Sequence, residues 1–253
     1  MLDRKDGFEL QALKAPVAET APKVARAVTA LTVVHGWKPD AERWLLSLFT
    51  HCKADFEALV VDNSGDARIA GWLESRKAER LRTLRLDPPV GFAMAVNAGL
   101  EASAGEICVL FDPGVELTGD AITPLIEALH DPVVAVAGPF GLRAKGTLKE
   151  FEESPGPAVD AIEGYCMAFR RADAAAVEGM DPKFRFYRIA DIDLSFRLRK
   201  LSGGRALVVG GLPVVKHEHR LWEATEPAER DRLSRRNLYR FLDRWGRSIE
   251  SQP

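Results

Sequence analysis

Cysteine is scarce in this chain. Cys52, Cys108 and Cys166 are its three cysteines, far apart and odd in number. That excludes a disulfide framework and a clustered zinc set, and it is the usage expected of a cytoplasmic protein with reduced thiols. Long apolar runs are missing as well: no uninterrupted stretch approaches the roughly 20 residues that a bilayer-spanning helix needs. Residues 1–26 begin MLDRKDGFELQALKAPVAET, with acids and prolines where a secretory signal would have its apolar centre, so a loosely attached lead-in is expected there. Neither charge dominates. Lys and Arg number 35 against 37 Asp and Glu, a formal net charge of −2, which offers no global field for nucleic acid. There is no internal repeat and no low-complexity segment. The G-x-x-x-x-G-K-[ST] of a P-loop is absent, and HGWKPD stands where a dinucleotide fold would carry G-x-G-x-x-G.

What the chain does contain is alternation. VTALTVVHG is a β-branched run closed by Gly36, the pattern of a buried strand. KPDAERWLLSLFTHC follows, with Trp44, Leu45, Leu48 and Phe49 on one helical face and Asp40 as N-cap. FEALVVDNSGD reads as strand and turn, ARIAGWLESRKAE as helix, LRTLRL as strand and GFAMAVNAGLEASAG as helix. EICVLFD is a strand, LTGDAITPLIEALHD a helix and PVVAVAGPF a strand. This predicts an α/β domain with right-handed crossovers and a mostly parallel central sheet flanked by helices. The pattern breaks at GLRAKGTLKEFEESPGPAVD, a polar stretch rich in Gly, Pro and Glu that predicts a long loop and a lid over residues 141–160. Then come AIEGYCMAFRRAD, a strand leading to a helix, and RIADIDLSFRLRKLSGG, an amphipathic helix ended by a glycine pair. RALVVGGLPVVKHEH reads as two short strands, and residues 227–247 as a final helix.

In an open parallel sheet, ligands bind beyond the carboxyl ends of the strands, near the switch in strand order. Three strands end there in polar or glycine residues: His35-Gly36, Asp62-Asn63-Ser64 and Asp112-Pro113-Gly114. A site is expected at that edge.

The ordered set VVDNSGD, GFAMAVNAGLEASAGEICVLFDPGV, ADIDLSFRLRKLSGG and VKHEH resembles the motif order of the family 2 inverting glycosyltransferases with the GT-A fold. The resemblance implies one GT-A domain over residues 27–222, preceded by the lead-in 1–26 and followed by a helical extension, 223–253, packed on it. It also implies transfer of a sugar from a nucleotide-diphosphate donor to an acceptor hydroxyl with inversion, in cell-envelope or exopolysaccharide synthesis. On the donor side it places His35, Asp62, Asn63, Gly91, Asn97 and Asp112. Asp62 would accept hydrogen bonds from the base or the ribose, although DNSGD is equally an Asx turn. Gly91 would let backbone approach a ligand closely. Asp112 takes the place of the first acid of the family's D-x-D element, and Gly114 stands where the second, metal-binding acid would be. A Mn²⁺ or Mg²⁺ bridging two phosphates takes one or two protein carboxylates, so the implied metal set reduces to Asp112 and a histidine of KHEH. His217 and His219, two apart on a strand, point the same way, and His217 is the first choice. Lys216 and Arg220 would offset leaving-group charge.

By the same resemblance Asp191 is the base that takes the proton of the acceptor hydroxyl, while Ala190 replaces the acid that usually precedes it. On local grounds alone, Asp191 and Asp193 in a helix's first turn also complement the macrodipole, and Asp193 can pair with Arg197 at i+4. Glu163 and Tyr165 fall on the acceptor side, where a glycan or lipid-linked acceptor would bind. The final helix carries seven arginines against three acids over residues 227–247. It is either a solvated face or a peripheral contact with anionic lipid at the inner membrane face. A reading of another class is a catalytically weak or inactive GT-A module that binds nucleotide or glycan within a larger assembly, suggested by Gly114 and Ala190. A nucleotidyltransferase would need a glycine-rich basic loop near the N-terminus, which the chain lacks.

Overall fold

The computed structural model describes residues 18–19, 26–76 and 78–246. The strands of the first half are β1 (Ala18–Glu19), β2 (Val28–Val34), β3 (Phe56–Asp62), β4 (Leu81–Arg85), β5 (Ile107–Phe111), β6 (Val115–Leu117) and β7 (Val134–Gly138). Between them lie helices α1 (Lys38–His51), α2 (Ala67–Ser75), α3 (Phe92–Ala102) and α4 (Ile122–His130). The second half has β8 (Gly141–Lys145), β9 (Thr147–Ser154), β10 (Ala158–Val159), β11 (Ala161–Ile162), β12 (Cys166–Arg170), β13 (Arg205–Val208) and β14 (Val214–Lys216). Its helices are α5 (Arg171–Ala176), α6 (Ala190–Ser202), α7 (Arg220–Ala224) and α8 (Pro227–Trp245).

A nine-stranded sheet runs in the order β1-β4-β3-β2-β5-β12-β7-β13-β10. β2, the central run VTALTVV, is buried along its whole length because helices cover both faces. Leu31 and Val33 enter one apolar cluster with α3, α6 and α8. Val28, Ala30 and Val34 enter another with Trp44 and Leu48 of α1 and Leu125 of α4. β2 pairs in parallel with β3 (Val34↔Asp62) and with β5 (Thr32↔Phe111), so the ends of β2 and β5 open side by side at the switch in strand order.

The parallel arrangement expected from the sequence holds for β2 to β5, and the other half of the sheet is mixed. β12 is antiparallel to both β5 and β7. A parallel neighbour needs a crossover, and the chain between β7 and β12 contains strands and no helix. It returns from the same edge and must run the other way. The long loop expected at residues 141–160 is instead the β8–β9 hairpin, with β11 added to β8 in a three-stranded sheet. Its mostly exposed side chains hide the strand periodicity. Phe151 nevertheless points inward, edge-on to Phe196 at 6.2 Å and Phe241 at 5.9 Å, and so anchors the hairpin on α6 and α8.

Three further expectations change in detail. The N-cap of α1 is Trp37, in a left-handed conformation (φ 54°), while Asp40 is buried and ion-paired with Arg43 and Arg220. Phe49 is 39 % exposed, so the buried face of α1 narrows to Trp44, Leu45 and Leu48. Within the lead-in, Ala18–Glu19 pairs antiparallel with β4 as an edge strand. Residues 1–17, 20–25 and 247–253 lie outside the described residues, and Arg247 with them. The helical extension is docked on the domain: Asn237, Phe241 and Trp245 of α8 are buried. Two of its arginines, Arg240 and Arg244, turn inward to Asp181 and Asp193.

Candidate active site

A cleft opens where β2 and β5 end. His35, Gly36 and Trp37 line it from the end of β2, Asp112 and Gly114 from the end of β5, Glu163 and Tyr165 from the approach to β12. Tyr187 and Asp191 close it from the start of α6, and His219 and Arg220 from the start of α7. It brings together His35, Asp112, Glu163, Tyr165 and Asp191 from the expected site residues.

Asp112 is held from three sides. Its backbone N–H donates to Tyr165 O (2.9 Å), its Oδ1 accepts from Gly114 N (2.7 Å), and its Oδ2 lies 3.0 Å from His219 Nε2. The partner histidine is thus His219, not His217. The β6–β14 ladder places Lys216 opposite Val115, and His217 N donates to Gly114 O, which carries the chain along Pro113 and Asp112. β14 ends at Lys216, and strict side-chain alternation ends with it. His217 instead meets Glu116 (Nε2 to Oε2, 2.8 Å) away from the cleft. His219 becomes the N-cap of α7 and stacks on Tyr187, ring centroids 3.9 Å apart at 16°.

A second acid in place of Gly114 would be crowded. A Cβ there would stand 2.9 Å from Asp112 Oδ1 and 3.0 Å from the Glu218 carbonyl oxygen. Among the described residues no three His, Cys, Asp or Glu side chains form a cluster able to hold a metal unaided. Asp112 and His219 do supply one carboxylate and one imidazole. That is enough protein for a cation that completes its shell with diphosphate and water.

Asp191 sits in the first turn of α6. Gly164 N donates to its Oδ2 (2.7 Å) and Ile192 N to its Oδ1 (2.9 Å). Burial pushes its pKa above the ordinary carboxylate range, against the pull of the Gly164 N–H. Ala190 beside it is buried. Asp193, facing away from the cleft, pairs with Arg197 as the i+4 spacing suggested (2.9 Å). Two cations expected at the leaving group are engaged with acids: Lys216 with Glu163 (2.7 Å), and Arg220 with Asp40 (2.9 Å) and Glu218 (2.7 Å). Lys216 also lies over the Tyr165 ring, 4.5 Å from its centroid.

His35 is neutral over the physiological range, because burial lowers its pKa to about 4, with Asp112 opposing. Asn63 Oδ1 accepts from Val90 N, which turns the amide nitrogen toward Val90 O and His35 Nδ1 (3.3 Å). Nδ1 is therefore the acceptor and the ring proton lies on Nε2, which is buried without a protein partner.

Four expected donor residues do not line the cleft; each is occupied inside the protein. Asp62 closes the turn at DNSGD, accepting from Ser64 N (3.0 Å) and Ser64 Oγ (2.6 Å). Asn63 braces His35 and Val90. Gly91 makes a close approach to Arg185, since a Cβ there would lie 3.1 Å from Arg185 Cα. The first amides of α3 are taken by the Arg185 and Phe184 carbonyls. Asn97 clamps Met180 through both of its backbone groups, each at 2.7 Å. Tyr187 and Trp37 are cleft residues that the sequence reading missed. Tyr187 lies in an irregular stretch with no periodicity to single it out. HGWKPD, read only as lacking the glycine fingerprint, could have pointed to Trp37 as a strand-end aromatic.

Comparison with known proteins follows the same outline. The family model described as glycosyl transferase family 2 matches residues 31–196. A search by sequence against curated proteins gives no match. Among solved structures the chain is similar to GalNAc-T7, crystallised with UDP, GalNAc and Mn²⁺. The TM-score is 0.69 at 14 % identity, over 89 % of this chain and 50 % of that one. It is also similar to the mannosyltransferase PcManGT from Pyrobaculum calidifontis in complex with GDP-Man and Mn²⁺. There the TM-score is 0.60 at 19 % identity, over 82 % of this chain and 62 % of that one. The chain thus spans half to three-fifths of the length of these relatives, and the likeness is one of GT-A fold. His219 and all of α8 lie beyond the residues that the family model matches.

Proposed function

Because the chain belongs to glycosyl transferase family 2, we propose that its cleft binds a nucleotide-diphosphate sugar and transfers the sugar to an acceptor hydroxyl with inversion. One observation carries this reading: a buried carboxylate with raised proton affinity, Asp191, shares a cleft at the sheet's switch point with the Asp112–His219 pair. Asp191 takes the proton of the acceptor hydroxyl as that oxygen attacks the anomeric carbon, and the bond to the diphosphate breaks on the opposite side. The Gly164 N–H fixes the direction of the carboxylate, and burial suits it to accepting a proton. His35 lines the donor side of the cleft as a neutral ring. Glu163 and Tyr165 receive the acceptor, a glycan or lipid-linked hydroxyl of cell-envelope or exopolysaccharide synthesis.

Asp112 and His219 would hold a Mn²⁺ or Mg²⁺, which when bound neutralises charge on the departing diphosphate. The fit rests on their 3.0 Å contact, where a cation would replace the shared proton. No helix among the described residues is long and apolar enough to cross a membrane. Peripheral contact with anionic lipid falls to α8, through the arginines that do not turn inward.

Calorimetry with UDP and GDP, each with and without Mn²⁺, tests the donor half. One of the two binds, and Asp112→Ala weakens it; binding of neither nucleotide overturns the reading. A second reading, a module that binds a nucleotide sugar without turning it over, is favoured by Gly114 and by Ala190 in the place of an acid. A preparation that binds nucleotide yet neither hydrolyses the donor nor transfers its sugar would establish it.

A further inference from the structure

Residues 181–189 form the wall of the cleft that carries Tyr187, and none of them belongs to a helix or strand. Outside a ladder each carbonyl needs its own donor. Backbone N–H groups reach those of Asp181, Lys183, Phe184, Arg185, Tyr187 and Ile189, and α8 reaches those of Phe186 and Arg188 from behind. Asn237, 2 % exposed, uses both hydrogens of one amide: Nδ2 donates to Phe186 O (2.9 Å) and to Arg188 O (2.8 Å), the carbonyls on either side of Tyr187. The same helix grips the start of the segment, where Arg240 and Arg244 meet Asp181. The Tyr187 ring lies flat on His219, whose Nε2 reaches Asp112.

We propose that Asn237 is a positioning residue for this cleft. By holding the carbonyls that flank Tyr187 it sets the ring against which His219 lies, and so the imidazole edge presented to Asp112. An amide suits this task. Serine offers one hydrogen and a carboxylate none, while leucine keeps the branched outline without donors. Asn237 lies outside the residues that the family model matches, so the C-terminal helix contributes to the site that this family places in the preceding domain.

The test has an arm that needs no ligand. In the full-length protein, Asn237→Leu moves the NMR resonances of the His219 ring protons away from their stacked, ring-current-shielded positions. Tyr187→Leu moves them likewise, and Tyr187→Phe leaves them in place. In the second arm, which rests on the donor reading above, Asn237→Leu lowers affinity for whichever of UDP or GDP binds by about tenfold, the lower end of losses seen when a residue that orients a ligand is removed. Adding Asn237→Leu to Tyr187→Leu costs no further affinity, because both act through one ring. A lower melting temperature with unchanged His219 resonances and additive losses assigns Asn237 a purely structural role and overturns the proposal. Should Asn237→Leu not fold, Asn237→Ser keeps one donor and carries the same measurements. If neither nucleotide binds wild-type protein, the donor reading fails, while the His219 resonances still decide this one.

Discussion

Gly114 shows how much one position constrains. The sequence presents it as an acid missing from a two-acid motif. In the structure the position is crowded for one, because a Cβ would lie 2.9 Å from Asp112 Oδ1 and 3.0 Å from the Glu218 carbonyl oxygen, and one of them would have to give way. Restoring the motif with Gly114→Asp should therefore push residues 217–219 off Asp112 and weaken nucleotide binding in Mn²⁺, measured by calorimetry; a gain in affinity would refute this account. Asp191→Asn keeps the shape of the side chain and removes the proton acceptor. It should reduce transfer by at least about 100-fold, the lower bound for loss of a general base, with nucleotide affinity retained. Burial raises the Asp191 pKa, so the carboxylate is protonated and idle at pH values where ordinary carboxylates are already charged. The acid limb of a kcat/KM profile should accordingly lie above the usual carboxylate range and disappear in the residual activity of Asp191→Asn.

Elements carry the next level of constraint. α8 looks from sequence like an amphipathic tail with an arginine-rich face, but its inward arginines are structural. Asp193, fully buried, accepts from Arg197 Nε (2.9 Å), Arg244 Nη1 (2.6 Å) and Trp245 Nε1 (3.0 Å). Breaking a buried ion network by deleting one partner leaves the other charges uncompensated. Asp193→Ala should therefore destabilise the protein by about 3–5 kcal/mol in urea titrations; a loss under about 1 kcal/mol would mean that the network is solvated. The hairpin β8–β9 depends on the same platform through Phe151. The outward-facing glutamates that made this region read as a loop say little about its backbone, since an exposed strand tolerates any polar residue on its free face.

For the whole molecule, the question is whether the two ends of the cleft act as one unit. His35 and Asp112 follow parallel strands at the centre of the sheet, Tyr187 comes from the segment gripped by α8, Asp191 from the first turn of α6, and His219 from the N-cap of α7 beyond the β6–β14 ladder. A ligand spanning them should stabilise the entire fold. At a concentration hundredfold above its Kd, bound UDP or GDP with Mn²⁺ should add about 2.7 kcal/mol, roughly 5–10 °C in melting temperature for a chain of this size. A rise that survives Asp112→Ala undiminished would place the ligand elsewhere.

Short-range patterns made much of this readable in advance. Fully buried parallel strands need continuous apolar runs, and they end in glycine or polar residues. The β/α alternation and the edge at which the strands end could thus be read from VTALTVVHG and CVLFDPG without coordinates, while Asp112 and Asp191 are singled out by the resemblance in motif order and both line the cleft. Contacts between segments far apart in the chain could not. Which histidine meets Asp112 depends on the β6–β14 register and on where that ladder stops, and both histidines of KHEH satisfy the local pattern equally. That Asp62, Gly91 and Asn97 serve turns and packing, that an asparagine of α8 braces Tyr187, and that β12 runs backwards all follow from how layers meet. Local sequence specifies which faces are buried, while the pairing of those faces is settled by packing across the whole domain.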